Sequence, residues 1–324
     1  MSTNIKERYR ELCKSENDIA IFQQAWWLDA TCGSDWDVVL FEKGNKIFGA
    51  LPYAHDKIRG MFTSLGVPCL TQFLGPWIKY PEGMKYERKL SFDKEVMFSL
   101  IDQLPSADSF AQNFSYNITN WLPFYWKGYD ARPLYTYVID DLSNLDELFN
   151  KTISKKLRRD INKASSEVVV EETEDLKRLY ALVSMTFERQ KRLVPYTYQF
   201  LDTLDKAIQM NAGRKIFLAY DKDRNVHAGA YIIWDDNSAY YLIGGEDTSK
   251  RQSQAMSLLI WEAIKFSASV TKKFDFEGSN IEPIEQFFKK YGAMQKVYYR
   301  VYKKEGKLYS ILLDVKDIIK QLIM

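Results

Sequence analysis

Tyr240-Tyr241-Leu242-Ile243-Gly244-Gly245 is followed by Ala255-Met256-Ser257-Leu258-Leu259-Ile260-Trp261-Glu262-Ala263-Ile264 and then by Phe274-Asp275-Phe276-Glu277-Gly278-Ser279. The first run is rich in aromatic and branched residues and reads as a strand ending in a Gly244-Gly245 turn. In the second, Met256, Leu259, Ile260, Ala263 and Ile264 recur at spacings of three and four, which predicts a helix with one apolar stripe. The third is a short buried strand. A strand, a crossover helix and a second strand predict a parallel pair. Upstream, 215–220, 226–234 and 238–243 form a three-strand meander, joined by the Asp- and Asn-rich turns 221–225 and 235–237. Hairpin and crossover connections together predict a mixed sheet flanked by helices, an α+β fold.

Further upstream the pattern is weaker but similar. Leu145, Phe149, Ile153, Leu157 and Ile161 repeat every four residues and predict one helix, capped by Ser143 or Asn144. Two more helices are expected over 176–187 and 198–210, and 283–291 reads as a helix closed by Gly292. Late strands are expected at 297–303 and 308–313, and a terminal helix at 315–323. In the first part, helices at 5–13 and 21–30 precede strands at 36–41, 46–53 and 57–63, and a helix at 86–104 stops at Pro105. The stretches 110–114, 125–129 and 135–139 read as extended. A boundary near Asp140-Asp141 divides the chain into 1–140 and 141–324, two copies of one small fold in tandem.

Composition bounds the function. The chain has 324 residues, with 45 Lys plus Arg against 43 Asp plus Glu, so the net charge is +2, which argues against a dedicated DNA-coating protein and leaves room for a local basic patch. No apolar run is long enough for a membrane-spanning helix. The N-terminal MSTNIKERYRELCKSEND has no apolar core for a secretory signal, and a cytoplasmic protein is expected. Cys13, Cys32 and Cys69 match no metal or disulfide spacing, which also fits a reducing compartment. Two histidines, His55 and His227, leave no zinc site built from three histidines and make a His-based triad a poor prospect. No Walker loop, G-x-S-x-G or Rossmann glycine fingerprint occurs.

The opening series, taken with Phe287-Phe288-Lys289-Lys290-Tyr291-Gly292-Ala293 and Ser154-Lys155-Lys156-Leu157-Arg158-Arg159-Asp160-Ile161, resembles the C-terminal half of the FemAB-like branch of the GNAT acyltransferases. Matching stretches cover about 143–300. The first 140 residues match only through Phe22-Gln23-Gln24-Ala25-Trp26-Trp27 and the Leu74-Gly75-Pro76 turn. The resemblance implies tandem GNAT-like domains and transfer of an acyl or aminoacyl group to an amine. Peptidoglycan-bridge members take aminoacyl-tRNA as donor and a lipid- or nucleotide-linked muropeptide as acceptor, and other relatives use acyl-CoA. The bridge enzymes often carry a helical-hairpin arm, and no heptad segment for one occurs here.

Amine acylation needs a seat for the donor's phosphates, a route for the amine proton and a closed cleft. The resemblance puts the donor loop at Lys250-Arg251-Gln252-Ser253-Gln254-Ala255, where the family carries Arg/Gln-x-x-Gly-x-Gly/Ala before a helix N-terminus. Lys250, Arg251, Ser253, Gln254 and Ala255 are therefore donor-binding candidates, with Ser253 in place of the central glycine. Glu277, at a strand end beside Gly278 and among Phe274, Phe276 and Phe287, is the candidate base; its alternative is a cap on the following turn. Tyr241 is a candidate donor to the leaving group, against a packing role. Lys155, Arg158 and Arg159 on one basic helix face, and Arg189 and Arg192 before Pro195, are candidate binders of phosphate-bearing substrate, against a solvated surface. His227 reads as structural or solvent-facing. The expected function is N-acylation of an amine on a cell-envelope or polysaccharide precursor from acyl-CoA or a related donor, by direct attack. Two alternatives stand beside it: an aminoacyl-tRNA-dependent ligase, and a non-catalytic binding protein on the same scaffold.

Overall fold

The computed structural model describes residues 4–58, 60–278 and 280–306. The chain forms two compact units. One is Met1–Leu134 together with the chain from Val297 onward, and the other is Tyr135–Lys296. The division thus falls six residues before the expected Asp140-Asp141 boundary. The late strand also returns to the first unit instead of closing the second, because it pairs there with a strand of that unit. The expected strand 308–313 and helix 315–323 lie outside the described residues.

In the first unit, α1 (Ile5–Ser15) and α2 (Ala25–Cys32) precede β1 (Trp36–Lys43), β2 (Lys46–Ile58), β3 (Phe62–Gly66) and β4 (Trp77–Ile78). Then come α3 (Tyr86–Gln103), β5 (Ser109–Asn113) and α4 (Leu122–Trp126). The stretch 125–129, read as extended, begins in helix: Pro123 sits in the first turn of α4 and buries with Phe124. The sheet order is β1-β2-β3-β5 and then the late strand β12 (Met294–Lys304), with β4 beside β2. Strands β1 to β3 are antiparallel, β3 and β5 are parallel, and β12 is antiparallel to β5.

The second unit takes up within β6 (Asp130–Ile139) and continues through α5 (Leu145–Glu147), α6 (Lys155–Glu167), β7 (Val168–Thr173), α7 (Leu176–Arg189) and α8 (Tyr198–Asn211). The meander is β8 (Gly213–Asp221), β9 (Val226–Trp234) and β10 (Ala239–Glu246), followed by α9 (Ala255–Ser267), β11 (Phe274–Asp275), α10 (Glu282–Phe288) and β12 (Met294–Lys304). The stripe from Leu145 to Ile161 belongs to two helices. Ile153 is extended, and the Ser154 side chain accepts from Leu157 N at 3.2 Å to start α6 afresh. Gly244 and Gly245 lie inside β10 and form no turn.

The order in this unit is β6-β11-β10-β9-β8-β7, mixed as the connections required. Alternation sorts the sheet faces. Phe217, Ala219, Ala228 and Ala230 pack with Leu259, Ile260 and Ala263 of α9, while Leu218 and Tyr220 turn to Leu182 of α7. The helix α7 lies so close to β10 that a Cβ on Gly245 would meet the Leu182 backbone at 2.4 Å. The α9 apolar face is sealed, and truncating Leu259 there costs about 2–5 kcal/mol.

Candidate functional site

The parallel pair at the centre of the second sheet is short. Strands β10 and β11 match only as Ala239 with Phe274 and Tyr240 with Asp275. Beyond Asp275 the chain keeps to β6: Phe276 N donates to Tyr137 O at 3.0 Å, and a Cβ on Gly278 would meet Tyr135 O at 2.2 Å. Strand β10 runs on with β9, so the two neighbours part. Glu277 and Gly278 both have positive φ, +57° and +66°, which turns the chain out of the strand path. The close approach and the positive φ together require glycine at 278.

Glu277 sits where the strands part. Its Oε1 is shut off from solvent and has no hydrogen-bond partner among the described residues. Burial, and then the charge of Asp275, raise its carboxyl well above the usual range. The turn after β11 is capped by Asp275, whose Oδ1 accepts from Glu277 N at 2.8 Å and from the Thr136 hydroxyl. Asp275, and not Glu277, thus holds the backbone N–H at position 277. The sequence signalled Asp275 only as a residue on the opposite strand face, and the structure buries it completely. Phe274, Phe276, Phe288 and Tyr291 form the aromatic wall, with centroids 4.9 Å apart for Phe274–Phe276 and for Phe276–Phe288.

Tyr241 belongs to the same wall. Its ring meets Phe288 edge-on at 5.9 Å, and its hydroxyl points to Met256 Sδ at 3.9 Å, at the start of α9. Burial, and then Glu246, raise the phenol. The register slips between Tyr241 and Ile243, a bulge that leaves Leu242 outside the ladder. Gly244 is needed beneath it, since a Cβ there would collide with the Tyr241 hydroxyl.

The expected donor loop is a short 3-10 turn, Thr248–Ser253, leading into α9. Gln254, the N-cap of α9, is left-handed, with φ +57°, and Ala255 N, the first helical N–H, donates to Ser253 Oγ at 3.3 Å. His227 lies against this loop, nine-tenths buried, with Nδ1 at 2.8 Å from Ser253 Oγ and Nε2 at 3.1 Å from Asp221 Oδ2. Lys250 also reaches Asp221, at 3.4 Å. Asn225, then His227 and Lys250, hold the Asp221 carboxyl well below its usual range. Sequence reading missed this set: Asp221 read as a turn residue and His227 as a lone strand histidine. They lie 26 or more positions from Ser253, and only the β8–β9 hairpin brings them to it.

The basic candidates divide. Arg251 and Arg189 bracket Glu246, at 2.6 and 3.3 Å. Arg158 turns inward and donates to the Phe149 and Asn150 carbonyls at the break before α6. Lys155, Arg159 and Arg192 are exposed. Lys163, one turn further along α6, donates to Gln252 O at 2.9 Å, so the basic helix face runs onto the donor loop. All three cysteines are free and lie in the first unit, where burial raises the thiols of Cys13 and Cys32 to about 11. None is primed as a nucleophile.

The second unit is thus a mixed sheet whose short parallel pair parts beside Glu277, with a helix N-terminus and a basic loop at the next connection. Residues 151–287 match the family described as Acetyltransferase (GNAT) domain. No curated protein matches the chain by sequence. Among solved structures, FemX is similar at 14% identity and a TM-score of 0.67, covering 96% of this chain and 98% of its own. The C-terminal domain (DUF2156) assigned to a lysylphosphatidylglycerol synthetase of Agrobacterium fabrum shares 12% identity with a TM-score of 0.55, covering 96% of each. A tandem GNAT protein from the clavulanic acid biosynthesis pathway shares 8% identity at a TM-score of 0.50, covering 91% of this chain and 92% of its own. Such identities carry the fold. Among the described residues no helix is long and apolar enough to cross a membrane, and no group of three or more acidic, Cys or His side chains could hold a metal.

Proposed function

We propose that the second unit transfers an acyl group from an acyl-CoA to an amine of a cell-envelope or polysaccharide precursor, in the cytoplasm. The observation that carries this is half-buried Glu277, whose Oε1 is shut off from solvent and unpartnered among the described residues, where β10 and β11 separate. Positioned general bases contribute about 10²–10⁴-fold to such reactions. The amine attacks the thioester carbonyl directly, its nitrogen losing a proton to Glu277 as the C–N bond forms. The C–S bond then breaks, and the thiolate takes a proton from Tyr241 or water. Lys250 and Arg251 face the donor's phosphates at the α9 N-terminus. The likeness to FemX and to the C-terminal domain assigned to a lysylphosphatidylglycerol synthetase supports an envelope acceptor.

The experiment is turnover of acetyl-CoA and longer acyl-CoAs with amine acceptors, wild type against Glu277→Gln. Turnover that falls at least a hundredfold with donor binding retained supports the assignment, and unchanged turnover removes it. One observation favours a second reading, aminoacyl-tRNA as donor: the exposed Lys155 and Arg159 share a helix with Lys163, which touches the loop. A steep, linear loss of tRNA affinity with log salt would favour that donor.

A further inference from the structure

His227 touches the donor loop twice. Its backbone carbonyl accepts from Asp247 N at 2.8 Å, at the loop's entry. Its ring Nδ1 meets Ser253 Oγ at 2.8 Å, at the exit. Between these points Asp247 accepts from Ser249 N, and Ser253 Oγ also lies 2.8 Å from Lys250 O. One residue on β9 thus pins both ends of the turn that delivers α9.

The ring is itself held. Asp221 Oδ1 accepts from Asp223 N and Asn225 N, at 3.0 and 2.8 Å, and Oδ2 accepts from Asn225 Nδ2 at 2.9 Å and from Lys250. A carboxylate so surrounded by donors stays ionised and takes the proton on Nε2. Nδ1 is then an acceptor facing Ser253 Oγ, whose single hydrogen is shared between Nδ1 and Lys250 O. Ser253 stands at the position where the family pattern has glycine, and in this chain its side chain shapes the helix start.

We propose that His227 is the positioning residue of the donor loop, fixing the loop exit and α9 N-terminus through Ser253 and so setting donor affinity without entering the chemistry. This rests on the reading that the loop receives the donor's phosphates. Entry and exit are held by different atoms of His227, so a side-chain change frees the exit and spares the entry.

The test uses His227→Asn and His227→Gln in the full chain. Asn places its amide near the position of Nδ1 and keeps the Ser253 contact; Gln places it near Nε2 and keeps only Asp221. Expected for His227→Gln is a rise of about three- to tenfold in donor KM and in the calorimetric Kd for CoA, with kcat within twofold of wild type. His227→Asn recovers most of that affinity. Amide exchange without ligand should quicken at Ser253, Ala255 and Met256 in the Gln variant only, with Asp247 unchanged. Equal behaviour of the two variants, or a fall in kcat at constant KM, overturns the proposal. If the wild type binds no CoA, the donor reading fails, and exchange alone judges the staple: quickening confined to the exit in the Gln variant supports it, and equal exchange in both variants overturns it.

Discussion

The two units repeat one topology and use it differently. In each, an antiparallel meander is followed by a helix, a strand parallel to the meander's last strand, and an antiparallel neighbour to that strand. In each, the parallel contact is two residue pairs long: Ser64 with Ser109 and Leu65 with Phe110 in the first, Ala239 with Phe274 and Tyr240 with Asp275 in the second. In the first unit the chain itself fills the place where the strands part. Leu74 bridges Phe114, and Gln112, fully buried, accepts from Gly75 N at 3.0 Å and donates to Pro52 O at 2.9 Å. Gln23 donates to both the Leu74 and Gly75 carbonyls. In the second unit the corresponding place holds Glu277, with an oxygen that no described residue satisfies. A buried polar group costs about 1–3 kcal/mol when unpaired. The first unit fills the place with an inserted turn and carries such an oxygen on Asn113, an amide, whereas the second carries it on a carboxyl at the position proposed for chemistry.

The largest expected effect separates the units. Glu277→Gln should cost about 10²–10⁴ in kcat. Gln112→Met should leave kcat unchanged and lower unfolding free energy by about 1–3 kcal/mol, read by urea denaturation. Loss of kcat in the first-unit variant at matched folded fraction would break the comparison.

Next come the glycines at the two partings. A Cβ on Gly278 meets the Tyr135 carbonyl oxygen at 2.2 Å, whereas one on Gly75 meets the Phe114 ring at 2.7 Å, and both residues have positive φ. Backbone cannot yield as a ring can. Gly278→Ala should therefore destabilise more than Gly75→Ala, by at least about 2 kcal/mol against about 1 kcal/mol. The reverse order would mean that the second parting is the softer one.

The pH dependence is smaller and has a definite sign. Glu277 is raised in the folded state, so its favourable contribution is complete below the unfolded value of about 4.3 and is lost as pH rises toward the folded value. Glu277→Gln removes that loss. The variant should match wild type near pH 4 and become the more stable of the two as pH increases, in paired denaturation curves. Turnover should rise over the same limb in wild type only. A constant stability difference between pH 4 and 8 would place the carboxyl in water.

The smallest effect concerns the basic face. Lys163→Ala removes one contact to the Gln252 carbonyl and should weaken donor binding only about two- to threefold, with the change fading at high salt.

Much of the second unit was legible in one dimension because its signals are local. The stripe of Met256, Leu259, Ile260, Ala263 and Ile264 needs only a helical period, and the Asp-rich turns need only their own side chains. Glu277 was legible as a candidate because a carboxylate between aromatics and a glycine is odd wherever it occurs. The break at Ile153-Ser154 was hidden, since the apolar period survives it. The helix at Leu122–Trp126 was hidden by aromatic, strand-favouring residues that the tertiary packing overrode.

The sequence by itself determined the order of elements, the mixed character of the sheet, the helix α9 and the identity of the carboxyl beside Gly278. The tertiary structure alone decided that β12 returns to the first unit, that Asp275 and not Glu277 caps the turn, that Arg158 faces backbone carbonyls, and that Asp221, His227 and Ser253 meet. The reason is physical. Periodicity and turn chemistry act over a few residues, whereas burial and hydrogen-bond partners are set by sheet register, which joins residues far apart in the chain.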